Sequence, residues 1–148
     1  MHYQQDDGGR SKSRCRVRAK EINDCVVRSI SIATGQKYQK TFEDLMKTGL
    51  NMGAFPNLRQ VYSRYLKSID WVECRCPRNE AGRLVKLQDW DDANGTWKAP
   101  PARAVVLNSG HLTAVVDNTV HDTWDCRYRP VNTFWRKVTD DDYKGKMD

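Results

Sequence analysis

The chain has 148 residues, 39% hydrophobic and 30% charged, the length of one domain that can hide roughly 70% of its unfolded surface. No apolar run is long enough to cross a bilayer and no basic-then-apolar leader opens the sequence, so the expectation is a cytoplasmic protein that is neither secreted nor membrane-spanning. The formal charge of +6 favours acidic partners without naming one, and five cysteines cannot all pair within one chain, which permits a free thiol.

Residues 1–20 are polar, and Arg10, Lys12, Arg14, Arg16, Arg18 and Lys20 fall on alternate positions. As an extended segment they would share one side and form an arm for phosphate or an acidic protein surface. The plainer reading, a solvated tail dispensable for folding, is the one favoured here. The expected organisation is a basic arm over 1–20, a domain over 21–139 and a polar tail over 140–148.

The first helix signal runs from Asn23 to Gly35, with Asp24 as N-cap, Gly35 as the terminating glycine, and Val26, Val27, Ile30 and Ala33 as an apolar stripe. Cys25 then falls in the first helical turn. A second helix is expected to start at Thr41, with Asp44 in a capping-box position, and a third carries Leu58, Val61, Tyr62, Tyr65 and Leu66 at helical spacing. Strands follow at Trp71–Cys76, Ala104–Leu107, His111–Val116, Thr119–Trp124 and Thr133–Val138, with loop from Pro77 to Pro101 around a short apolar segment at Leu84–Leu87. Helices followed by an antiparallel meander give an α+β order: N-terminal helices packed on a C-terminal antiparallel sheet.

A cysteine attacks as the thiolate, so its pKa near 8.5 must be lowered, and a helix N-terminus and a neighbouring imidazolium both lower it. Asp24-Cys25 at a helix start supplies the first condition. His111, after Ser109-Gly110 at the head of an apolar strand, is placed to supply the second. With Asp117-Asn118 as a two-residue turn, Val116 pairs with Thr119, Thr113 with Asp122 and His111 with Trp124. Asp122 becomes the diagonal neighbour of His111, with Cβ atoms roughly 7 Å apart, and takes the role of orienting acid. Asp117 lies too far along the strand. His121 and Asp125 have the opposite parity, which ranks Asp125 second. The oxyanion needs donors, for which the backbone N–H of Cys25 and the nearby amide of Asn23 are candidates.

The blocks Asn-Asp-Cys-Val-Val-Arg-Ser-Ile (23–30), Gly-His-Leu-Thr-Ala-Val-Val-Asp (110–117) and Val-His-Asp-Thr-Trp-Asp (120–125) resemble the nucleophile, base and acid blocks of small papain-like cysteine peptidases, and short phage and bacterial proteins of that superfamily. The resemblance spans roughly residues 22–136, although only these blocks are distinctive. It implies a papain-like fold, a helix bearing the thiol against a sheet bearing the histidine, and cleavage of a peptide or isopeptide bond in a protein or peptide substrate, with Cys25, His111 and Asp122 matching the triad. Many such enzymes place Gln six residues before the cysteine. Here that position is Ala19, so the resemblance leaves the oxyanion donor open.

Cys74-Arg75-Cys76 is too tight for the usual zinc knuckle and has no second ligand pair nearby, so neither a metal nor another cofactor is expected. No aromatic-basic signature of an RNA-binding sheet occurs, and nucleic acid is not an expected partner. Two rivals to the peptidase stand: an idle papain-like scaffold that binds a host or virion partner through its basic surface, and an acyltransferase that passes the thioester to an amine.

Overall fold

A computed structural model describes residues 1–13, 24–90 and 99–144. Three helices come first among its larger elements, α1 (Cys25–Thr34), α2 (Tyr38–Met52) and α3 (Arg59–Ser68), and a short α4 (Asp140–Lys144) comes last. The strands are β1 (His2–Gln5), β2 (Trp71–Arg75), β3 (Arg103–Asn108), β4 (His111–Val116), β5 (Thr119–Asp122) and β6 (Thr133–Lys137). They form one six-stranded sheet in the order β1-β5-β4-β3-β6-β2. The class is α+β, as expected, but the sheet is mixed and is not built from the C-terminal half alone. β1 pairs parallel with β5 at one edge, and β2 pairs antiparallel with β6 at the other.

The apolar pattern explains the layering. In β3 the run Ala104-Val105-Val106 is buried on both faces, as a continuous apolar strand at the middle of a covered sheet should be. Val105 joins Val26, Ile30, Leu45, Tyr65 and Trp135 in the core between helices and sheet. Ala104 and Val106 join Val115, Val120, Trp90 and Val131 on the opposite face, under the loop that contains Leu87. The expected stripe of α1 is buried, and Gly35 ends the helix in the left-handed conformation with φ 77°, its N–H bonding Ser31 O at 2.9 Å. Asp24 precedes the helix but does not cap it with its side chain, because arginines and a tyrosine claim the carboxylate. Helix α2 begins at Tyr38 instead of Thr41, and Asp44 bonds Lys40 and Tyr65 instead of closing a capping box.

The ends of the chain depart furthest from expectation. Residues 2–5, expected to be part of a dispensable arm, form β1, with Tyr3 opposite Val120 and packed against the second core cluster. Arg10–Lys12 form a 3-10 turn, so these two charges do not sit on an extended strand; Arg14, Arg16, Arg18 and Lys20 lie outside the described residues. The expected polar tail contributes α4, where Asp142 accepts two bonds from Arg136 at 2.7 and 2.8 Å. Among the described residues, no helix is long and apolar enough to cross a membrane.

Candidate active site

The hairpin of β4 and β5 sets the site. Asp117 and Asn118 both have positive φ (48° and 59°), the signature of the two-residue turn, and Val116 pairs with Thr119, Val115 with Val120 and Ala114 with His121. That register carries Asp122 to the diagonal position beside His111, and the pair closes with His111 Nε2 2.7 Å from Asp122 Oδ2. Asp122 is 3% exposed. Its other oxygen accepts from the N–H of Thr123 at 2.7 Å and faces Arg28 Nη2 at 3.4 Å. β5 ends at Asp122, two residues sooner than expected, and Trp124 turns its ring against His111 with centroids 4.7 Å apart.

Cys25 occupies the first residue of α1, and this helix packs chiefly on β4, which begins with His111. Cys25 and His111 line the same cleft, and the imidazole is among the groups that act on the thiol. Since Nε2 is engaged by Asp122, Nδ1 is the nitrogen left for sulfur. Burial would raise the Cys25 pKa, but the bond with His111, the backbone N–H of Leu112 and the charges of His111 and Arg28 outweigh it and hold the thiol below its usual value. For His111, burial opposes the charged form, yet its bonds to Asp122, Cys126 and Cys25 push the pKa up to about 11. Burial likewise works against the Asp122 carboxylate, and the His111 bond overcomes it to keep the acid below the ordinary range. These shifts all favour the thiolate-imidazolium form over the neutral pair, with an ionised acid behind it.

A cleft of about 210 Å³ opens over the thiol, lined by Cys25, Val26, Asn57, Tyr62, Gly110 and His111 among others. The competing acids lie elsewhere. Asp117 sits exposed in the turn, Asp125 is engaged by Arg127 at 2.8 and 2.9 Å, and His121 faces Asp6 at 3.1 Å. Asn23 and Ala19 lie outside the described residues. No family model, curated protein or solved structure matches the chain.

Sequence reasoning gave Arg28 and Cys126 no role and read Arg10 only as part of a basic arm, yet all three lie near the triad. Arg28 is buried between Asp24 and Asp122, and the signal for it was a lone arginine amid the apolar residues of α1. Cys126 is buried with Sγ 3.7 Å from Asp122 Oδ2, beyond the end of any regular pattern. Arg10 reaches Asp24 from the N-terminal segment. Among the described residues, His111, Asp122 and Cys126 bring possible metal-ligand atoms within 4.8 Å of one another. The Arg28 guanidinium beside the same carboxylate opposes a dication there, and the His111 Nε2 bond already occupies the donor such an ion would need. Cys74 lies on β2 and Cys76 just after it, both partly exposed.

Proposed function

We propose that the protein is a papain-like thiol hydrolase, a cysteine peptidase that cleaves a peptide or isopeptide bond with Cys25, His111 and Asp122. The observation that carries the reading is the His111–Asp122 pair, closed at 2.7 Å, with the imidazole and the Cys25 thiol lining one cleft. A nucleophile at a helix start against a histidine at a strand start also suits the papain-like resemblance of the sequence blocks.

In this mechanism the Cys25 thiolate attacks the substrate carbonyl carbon, and the carbonyl π electrons move onto oxygen. The backbone N–H of Cys25, in the first turn of a helix, serves as a donor to that oxyanion in this reading. As the tetrahedral adduct collapses, His111 gives its proton to the leaving amine, the C–N bond breaks and a thioester remains. A water molecule then loses a proton to His111 and attacks the thioester, releasing the acid and restoring the thiolate. Asp122 keeps the imidazole oriented and stabilises its charged form throughout.

Iodoacetamide labelling of the intact protein at graded pH, followed by peptide mapping, tests the reading together with turnover of fluorogenic peptide and isopeptide substrates. Cys25 should label ahead of Cys74, Cys76 and Cys126, with an apparent pKa well below an ordinary thiol, and turnover should vanish in Cys25→Ala. Labelling of Cys25 with an ordinary thiol profile and no turnover would favour a binding scaffold.

A further inference from the structure

The triad acid is held from two directions by parts of the chain that the mechanism leaves unused. The first grip is ionic. Buried Arg28 binds Asp24 through Nη1 and lies 3.4 Å from Asp122 Oδ1 through Nη2. Asp24, 3% exposed, also accepts from the Tyr38 hydroxyl at 2.9 Å, and both its oxygens lie 3.1 Å from Arg10 Nη1. The second grip is on the backbone: the carbonyl of Asp122 accepts from the N–H of Asp6 at 2.8 Å and from the Tyr3 hydroxyl at 3.3 Å. Both Arg10 and these donors belong to the N-terminal segment, which lies so close to α1 that a Cβ on Gly8 would stand 3.0 Å from the Cα of Arg28.

The docked segment adds a second cation to a pair of buried carboxylates. Arg28 faces both Asp24 and Asp122, and Arg10 faces Asp24 as well. In a cluster this dry, one missing cation leaves an anion whose lost hydration nothing replaces. The geometry adds a directional effect, because Arg28 and the Thr123 N–H fix Oδ1 and thereby turn Oδ2 toward His111.

We infer that Arg28 is a positioning residue for Asp122, and that Arg10, delivered by the N-terminal segment, completes it by sharing the charge of Asp24. The docked segment is then a working part of the thiol site. The inference deepens the hydrolase reading and depends on it only for its effect on turnover. Without Arg28 the carboxylate can rotate away from the imidazole. Without Arg10, Asp24 draws Arg28 wholly to itself and loosens its hold on Asp122. The groups around the acid are His111, Arg28, Thr113, Thr123, Cys126 and the Tyr3 hydroxyl; those facing the thiol are His111, Arg28 and Tyr62.

The test uses the full chain with Arg28→Met, Arg28→Lys, Arg10→Gln and Asp122→Asn. Cys25 alkylation is followed against pH, and the imidazole of His111 is titrated by NMR with His111→Ala for assignment. In Arg28→Met the His111 midpoint should fall by about one pKa unit or more, as expected when a carboxylate partner is lost. Alkylation at pH ~6 should slow about tenfold, Arg28→Lys should recover part of it, and Arg28→Met should add little in an Asp122→Asn background. Arg10→Gln, altering a residue nearer the surface, should shift both readouts the same way by about two- to fivefold in rate, and it carries the test if Arg28→Met does not fold. An unchanged or raised His111 midpoint, or full additivity with Asp122→Asn, overturns the inference. The titration needs no turnover. A wild type that never hydrolyses substrate, but whose His111 midpoint falls in these variants, would overturn the hydrolase reading and leave the positioning role standing.

Discussion

His111 and Asp122 meet across a hairpin, Nε2 to Oδ2 at 2.7 Å, although the two are eleven residues apart in sequence. A two-residue turn does this. Shifting the register by one residue would turn Asp122 to the opposite face, where His121 now pairs with Asp6.

The triad can be dissected by substitution. Cys25→Ala should abolish turnover with little loss of stability, whereas His111→Ala should abolish it and also destabilise the fold, because it leaves the buried Asp122 carboxylate without its partner. Asp122→Asn should reduce kcat by about 10²- to 10⁴-fold without erasing it, because the acid orients the base and takes no part in bond breaking. Asp117→Asn, in an exposed turn position whose φ of 48° suits asparagine, should leave kcat/KM unchanged. Equal losses for Asp117→Asn and Asp122→Asn would assign the roles wrongly.

The His111-Asp122 pair also makes stability depend on pH. The folded pKa of His111, about 11, lies above its unfolded value of about 6.5, so its contribution is full below that value and is lost as pH rises toward 11. The folded pKa of Asp122 is lowered, so its contribution is full above its unfolded value of about 3.9 and is lost as pH falls through the folded one. Urea melts should be compared in a Cys25→Ala background, which removes the coupled thiol and part of the rise at His111. The gap in stability between that protein and its Asp122→Asn derivative should be widest at about pH 5–6 and narrow in both directions. A gap that stays constant from acid to base would count against the ion pair.

Gly8 is a local test of how the N-terminal segment docks. Its φ of +69° suits glycine, and a side chain there would press on the Arg28 backbone. Gly8→Ala should therefore cost about 1–3 kcal/mol in urea denaturation, where an exposed solvated tail would show no change.

Removal of residues 1–6 extends the same point. The truncated chain would lose the β1 pairing, the packing of Tyr3 and the Asp6 bond to Asp122. Its Tm should fall by at least about 5 °C, given the usual 2–4 °C per kcal/mol for chains of this size. A melting temperature within one or two degrees of the intact chain's would return these residues to the status of a tail.

What the sequence made legible was local. The hairpin register followed from Asp117-Asn118, and the α1 stripe followed from the spacing of Val26, Val27, Ile30 and Ala33, because both depend on neighbours a few residues apart. β1 carried no such signal. His2-Tyr3-Gln4-Gln5 is too polar to announce a strand, and its partner lies more than a hundred residues later in a parallel pairing. Asp24 looked like a cap for a similar reason: its position before the helix is visible in sequence, but the arginines and tyrosine that take its carboxylate are brought there by the fold.

The parallel pairing of β1 with β5 also fixes the order in which the molecule can be completed. Tyr3 is made early on the ribosome but has no partner until Val120 has followed it, so this edge of the sheet closes only after nearly the whole chain has emerged. Cys25 likewise waits for a distant part of the chain, since His111 and Asp122 are made more than eighty residues after it. The thiol of a half-made chain therefore lacks the imidazole that lowers its pKa, and the setting of Cys25 is complete only when the hairpin of His111 and Asp122 has packed on α1.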